Sequence, residues 1–153
     1  MNRRNFILTG LASGIGAAAL ARPTLAMSGQ MEVFKTPSCG CCSAWVDHIA
    51  RAGLNVTARD VDQETLWTIK DRAKITPELS SCHTAFIEGY FVEGHVPAED
   101  VQRLLSERLD AIGLTVPGMP IGSPGMEMGT QRDSYDTLLV LHDGSVEVFM
   151  SHA

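Results

Sequence analysis

Cys39-Gly40-Cys41-Cys42 puts three thiols on four consecutive residues, and a fourth thiol, Cys82, stands well downstream. Cys39 and Cys42 alone satisfy the Cys-x-x-Cys spacing of thiol–disulfide chemistry, in which one thiolate attacks and the other resolves the mixed disulfide. That chemistry needs no thiol between them, so Cys41 is the departure. Mononuclear structural zinc sites commonly hold their cysteines in pairs a few residues apart. Adjacent sulfurs are poorly spread around one tetrahedron and well placed to bridge neighbouring ions, which favours a multinuclear thiolate cluster. Thiolate and thioether ligands together select Cu(I), and the chain carries 4 Cys, 7 Met and 5 His.

Further ligands can be named around this centre. Cys82 reads either as the fourth sulfur or as a buried small hydrophobe or disulfide partner. Its neighbour His83 could add an imidazole, although strand alternation would turn only one of the two inward. His95, in Gly94-His95-Val96-Pro97, fits a ligand and a structural turn residue about equally. His48 reads as a solvated side chain, His142 belongs to a hairpin turn, and His152 is terminal. The Gly/Pro-rich stretch 114–128 contains Met119, Met126 and Met128, which are either anchoring hydrophobes or thioether ligands. Met126 is the first choice among them.

The elements that must position these residues follow from the apolar pattern. Residues 31–35 predict a first strand. Ser38 or Cys39 could cap a helix whose apolar face carries Trp45, Val46, Ile49 and Ala50 and which Gly53 stops. The first thiols then lie at a helix N-terminus, whose dipole stabilises a thiolate whether it attacks a disulfide or holds a metal. Residues 55–61 predict a second strand and 63–74 a second helix with Leu66, Trp67 and Ile69 inward. A polar turn at 77–81, a strand at 83–88, a turn at Gly89-Tyr90 and a short return strand at Phe91-Val92 come next. A third helix after Pro97 carries Val101, Leu104, Leu105 and Leu109. Last is a hairpin, 135–141 with 145–149, turning at Asp143-Gly144. The order strand, helix, strand, helix, hairpin, helix predicts a thioredoxin-like α/β domain, a small mixed sheet with helices on both faces, extended by the Pro/Gly/Met-rich loop and the C-terminal hairpin.

The N-terminus reads as an export signal. Arg3 and Arg4 precede an apolar run from Phe6 to Leu20, followed by Arg22, Pro23 and a small-residue cleavage site ending at Ala26. The run is shorter than the ~20 residues that a spanning helix needs. Residues 1–26 are therefore expected to be removed, leaving 27–153 as a periplasmic metal-binding domain without a membrane span. Arg3-Arg4 before Asn5-Phe6-Ile7 is similar to a twin-arginine signal, and general secretion fits the segment as well. The 153 residues carry a formal charge of −6, and removal of the signal takes away three arginines and no acid. Such a chain lacks the basic surface that nucleic acid requires.

Lys35-Thr-Pro-Ser-Cys-Gly-Cys-Cys42, Ser81-Cys-His-Thr-Ala85, Gly94-His-Val-Pro-Ala98, Pro117-Gly-Met-Pro120 and Gly122-Ser-Pro-Gly-Met-Glu127 occur in that order over nearly the whole expected mature chain. Together they resemble the periplasmic Cys-x-Cys-Cys proteins, a domain family of unknown function that includes CopG-type copper-resistance proteins. The resemblance implies a thioredoxin-like fold holding a cysteine-bridged copper cluster, with Cys39, Cys41, Cys42 and Cys82 as its thiolates. It also implies a redox role toward Cu(I) and Cu(II) in copper stress, with copper and an envelope copper-handling or redox protein as partners. Two other readings compete: a thiol–disulfide oxidoreductase using Cys39 and Cys42, and a zinc-stabilised module, which the softness of the donors disfavours. No catalytic residue is assigned outside the oxidoreductase reading.

Overall fold

The computed structural model describes residues 29–153, so the expected export segment 1–26 lies outside the described residues. Ten principal elements follow in chain order: β1 Gln30–Lys35, α1 Gly40–Arg51, β2 Asn55–Asp60, α2 Gln63–Arg72, β3 Thr84–Ile87, β4 Tyr90–Glu93, α3 Ala98–Glu107, β5 Gly113–Thr115, β6 Tyr135–Val140 and β7 Val146–His152. The seven strands form one mixed sheet in the order β2-β1-β3-β4-β5-β6-β7. β1 pairs parallel to β2, β4 parallel to β5, and the other neighbours run antiparallel. The sheet is larger than the small one expected. The short strand Gly113–Thr115, which overlaps the start of the stretch 114–128 read as loop, bonds β4 on one side and β6 on the other, joining the C-terminal hairpin to the main sheet.

Alternation along the strands divides the core between two faces. Met31, Val33, Ala85, Ile87, Val92 and Leu114 face α1 and α3, where Trp45, Ile49, Val101 and Leu104 complete one apolar cluster. On the α1 face Val46 is partly buried as expected, whereas Ala50 is exposed. The other side carries Phe86 and Phe91 with Ile75, Leu79 and Val140, and α2 packs there through Leu66 and Lys70. Helices thus cover both faces. α2 starts cleanly because the Asp62 carboxylate accepts the Thr65 N–H at 2.7 Å, a capping bond that holds this carboxyl below its usual range.

Two details of α2 overturn the sequence reading. Trp67 is 52% exposed, because the inward row of this short helix runs through Leu66 and Lys70, one turn apart, and position 67 is rotated away from it. Lys70 takes the inward place because its ammonium meets partners there: the Thr84 hydroxyl at 3.0 Å and the Glu93 carboxylate. The pair is buried, Lys70 at 2% and Glu93 at 0% exposure. Burial pushes the Glu93 carboxyl up, and Lys70 draws it back down. The β3–β4 turn also shifts by one residue, to Glu88 and Gly89, both with positive φ, as a two-residue hairpin requires.

The two tryptophans test this partition. Trp45 has no exposed surface, and its indole N–H donates to the Val96 carbonyl at 2.8 Å. Trp45→Phe is expected to lower the free energy of unfolding in urea by about 1–3 kcal/mol, by orphaning that carbonyl and leaving space. Trp67→Ala is expected to change it by no more than about 0.5 kcal/mol.

Candidate metal centre

β1 ends at Lys35, and Thr36-Pro37-Ser38 carry the chain to the start of α1, where Cys39 occupies the N-cap position without a side-chain capping bond. Its sulfur is instead bonded to Cys42. Cys41 and Cys82 are free thiols. The Cys41 sulfur lies 3.5 Å from that of Cys39 and 3.9 Å from that of Cys82, and the Cys42 sulfur approaches the Cys82 carbonyl at 3.7 Å. All four sulfurs fall within 4.8 Å of one another. The segment before β3 therefore brings the distant thiol onto the helix start.

A second grouping shares Cys82. His95 Nε2 is 3.1 Å and His83 Nδ1 3.4 Å from its sulfur, and one ligand atom from each of the three residues lies within 4.8 Å of the others. Strand alternation does not separate Cys82 from His83, because β3 begins only at Thr84. His95 Nδ1 bonds the Pro124 carbonyl at 2.8 Å. A carbonyl only accepts, so Nδ1 carries the proton and Nε2 presents a lone pair toward the sulfur, the tautomer a metal ligand needs. His83 is fully buried, with its ring 4.4 Å from that of Trp45 and 5.1 Å from that of His95. Its Nε2 is a buried polar atom without a partner.

Burial sets the charge states here. It holds His83 well below the usual imidazole range, with neighbouring His95 next in effect, and it lowers His95 too. Both rings are therefore neutral, the form that binds metal. The Cys82 thiol is pushed up to about 12, first by burial and then by the neighbouring Cys41. Without a cation the thiol keeps its proton, and a cation that replaces the proton restores the balance of charge. Sulfur and imidazole donors with one orphaned ring nitrogen fit a soft metal ion.

The Pro/Gly/Met loop closes over this centre. Gly125, at φ +87°, rests on the first turn of α1: a Cβ there would lie 2.6 Å from the Cys41 carbonyl and 2.8 Å from the Trp45 nitrogen. Only glycine permits that approach. Internal bonds keep the loop folded, with Met126 N–H on the Ser123 carbonyl at 2.8 Å and Gly122 N–H on the Met126 carbonyl at 2.9 Å. Met126, next to Gly125, is partly buried, whereas Met119 and Met128 are 53% and 62% exposed.

The remaining histidines have other employment. His48 is not free in solvent as expected; its Nε2 accepts the Ala98 N–H at 3.0 Å at the start of α3. His142 pairs with Asp110 at 3.1 Å and His152 with Asp100 at 2.9 Å. The sequence reading missed Pro124, Gly125 and Trp45 as parts of the centre. The Pro-Gly pair was a visible turn signal, whereas nothing in the sequence tells which ring a carbonyl will meet.

Residues 79–126 match the family described as "Protein of unknown function, DUF411", a span that runs from the segment before Cys82 to Met126. No curated protein matches the chain. Two solved structures do. Copper resistance protein CopG, form 2, is 39% identical, with 82% of this chain and 98% of that one covered at a TM-score of 0.76. Form 1 is 40% identical, with 80% and 96% covered at a TM-score of 0.75. At that identity over nearly the whole described length, the chain belongs to the DUF411 family of CopG-type copper-resistance proteins.

Proposed function

We propose that this protein binds copper as Cu(I) in a cluster bridged by the thiolates of Cys39, Cys41, Cys42 and Cys82, and that it serves copper resistance outside the cytoplasm. The observation that carries the reading is the gathering of four sulfurs within 4.8 Å, with two neutral imidazoles on the shared Cys82. His83 and His95 supply nitrogen ligands, and Met126 is the first thioether candidate, before Met119 and Met128. Copper as the cargo is supported by the names of the two similar structures and by the softness of the donors. Residues 1–26 serve as the export signal, of twin-arginine type. The strand order β2-β1-β3-β4, with helices on both faces, supports a thioredoxin-like core. Cu(I)/Cu(II) interconversion is part of the same proposal. Cys39 and Cys42 are bonded to each other, so they join the thiolate set once an external two-electron thiol reductant opens that bond and two protons or metal ions take up the sulfurs.

Anaerobic Cu(I) titration tests this. Reduced wild-type protein is expected to bind more than one Cu(I) per chain, and Cys41→Ser is expected to lose most of them. A wild-type capacity of one or fewer would overturn the cluster.

The Cys39–Cys42 bond at a helix start also favours a second reading, a thiol–disulfide oxidoreductase. This reading predicts insulin reduction that Cys39→Ser abolishes and Cys41→Ser leaves intact. On the copper reading, metal-free reduced protein is expected to show no such turnover above its Cys39→Ser variant.

A further inference from the structure

Glu93 is fully buried on the sheet face opposite α1, and its partners go beyond Lys70. One carboxylate oxygen accepts the Ser81 backbone N–H at 2.6 Å, and the other accepts the Thr84 hydroxyl at 2.6 Å. These bonds grip the residues on either side of Cys82-His83. Ser81 is held a second time, because its hydroxyl donates to the Gly118 carbonyl in the methionine loop. Gly94 leaves room for this arrangement: a Cβ there would sit 2.5 Å from the Ser81 Cβ. The Cys82 sulfur in turn is the atom common to both ligand groupings.

Resting on the copper reading, we infer that the buried Lys70–Glu93 pair positions the metal centre, with the Glu93 carboxylate fixing the Ser81 amide so that the Cys82 sulfur stands over the Cys39-Gly-Cys41-Cys42 turn. Neither residue touches the sulfurs; both act through the backbone. A buried ion pair is a costly way to fill a core, since apolar residues of similar volume commonly do as well or better. What apolar side chains cannot supply is an acceptor for the Ser81 N–H. Lys70 contacts the same carboxylate oxygen and orients it for that bond. Partners that orient ligands in this way commonly contribute about 10–100-fold to metal affinity.

The test compares two double variants, both free of buried charge. Lys70→Met with Glu93→Gln keeps an acceptor for Ser81 in the amide oxygen; Lys70→Met with Glu93→Leu removes it. The Gln variant is expected to keep the wild-type Cu(I) capacity and the thiolate-to-copper absorption bands. The Leu variant is expected to remain folded, with a melting temperature lowered by the unpaired Ser81 N–H, while binding Cu(I) about tenfold or more weakly, with altered bands. Equal binding by the two variants, or equal loss in both, would overturn the positioning role.

A copper-free readout separates this inference from the reading it rests on. In metal-free Cys41→Ser protein with Cys39–Cys42 bonded, Cys82 is the remaining free thiol. Its alkylation by iodoacetamide is expected to be severalfold faster in the Leu variant than in the Gln variant. Faster alkylation in the Leu variant, together with a wild-type protein that binds no copper, would retain the clamp and remove the copper reading; equal alkylation in the two variants would remove the clamp. Should the Leu variant fail to fold, hydrogen exchange of the Ser81 amide in the wild type decides. Strong protection is expected, and exchange as fast as that of an open loop would overturn the proposal.

Discussion

The burial of Trp45 organises the candidate centre. Its indole N–H is spent on the Val96 carbonyl, one residue past His95; its ring lies against His83; and its backbone nitrogen is the surface on which Gly125 lands. One side chain of α1 thus sets the distance from the cysteine turn to both histidines and to the loop that orients His95. The packing there is too tight for a substituent at Gly125, so the loop cannot slide without disturbing the helix that carries Cys41 and Cys42.

The same burial makes the centre electrostatically ready for a cation. Two imidazoles and a thiol taken out of water lose their charged forms, and only lone pairs and an exchangeable sulfur proton remain. On the opposite face two ionisable groups meet instead: Lys70 and Glu93 share one buried site through direct contact. The sheet therefore separates a neutral donor cluster from an ion pair, with the segment 81–84 running between them. That division explains how the chain holds buried polar groups on both sides of β3.

Much of this was legible in the sequence where the pattern was local. The Cys-x-Cys-Cys turn, the helix after it, the Asp-Gly hairpin and the motifs around Cys82 and His95 are each written within a few residues. What was hidden depends on pairing across distance. β5 has three residues amid Gly and Pro, and its strand character comes from neighbours on both sides. Nothing local to Lys70 marks it as buried, because its partner, Glu93, lies on another element. Trp67 looked inward because aromatic residues usually are, yet helix geometry gave that place to Lys70. The spacing singled out Cys39 and Cys42 as the pair that thiol–disulfide chemistry would use, but it could not decide between that bond and a metal claiming all the thiols.

The two edges of the sheet differ in what they offer to another chain. β2 presents largely polar, exposed positions, with Arg59 paired to Glu32 of β1. β7 ends the sheet with Val146, Val148 and Met150 at 44%, 60% and 40% exposure, beside a register irregularity opposite Thr137 and Leu138 that twists the last pair. A strand edge with alternating apolar side chains and unpaired amides is a template for adding another strand. It lies four strand spacings from β3, about 19 Å across the sheet. Self-association through β7 would therefore lengthen the sheet at the edge remote from the sulfurs, leaving the surroundings of the centre the same in an assembled form as in a single chain.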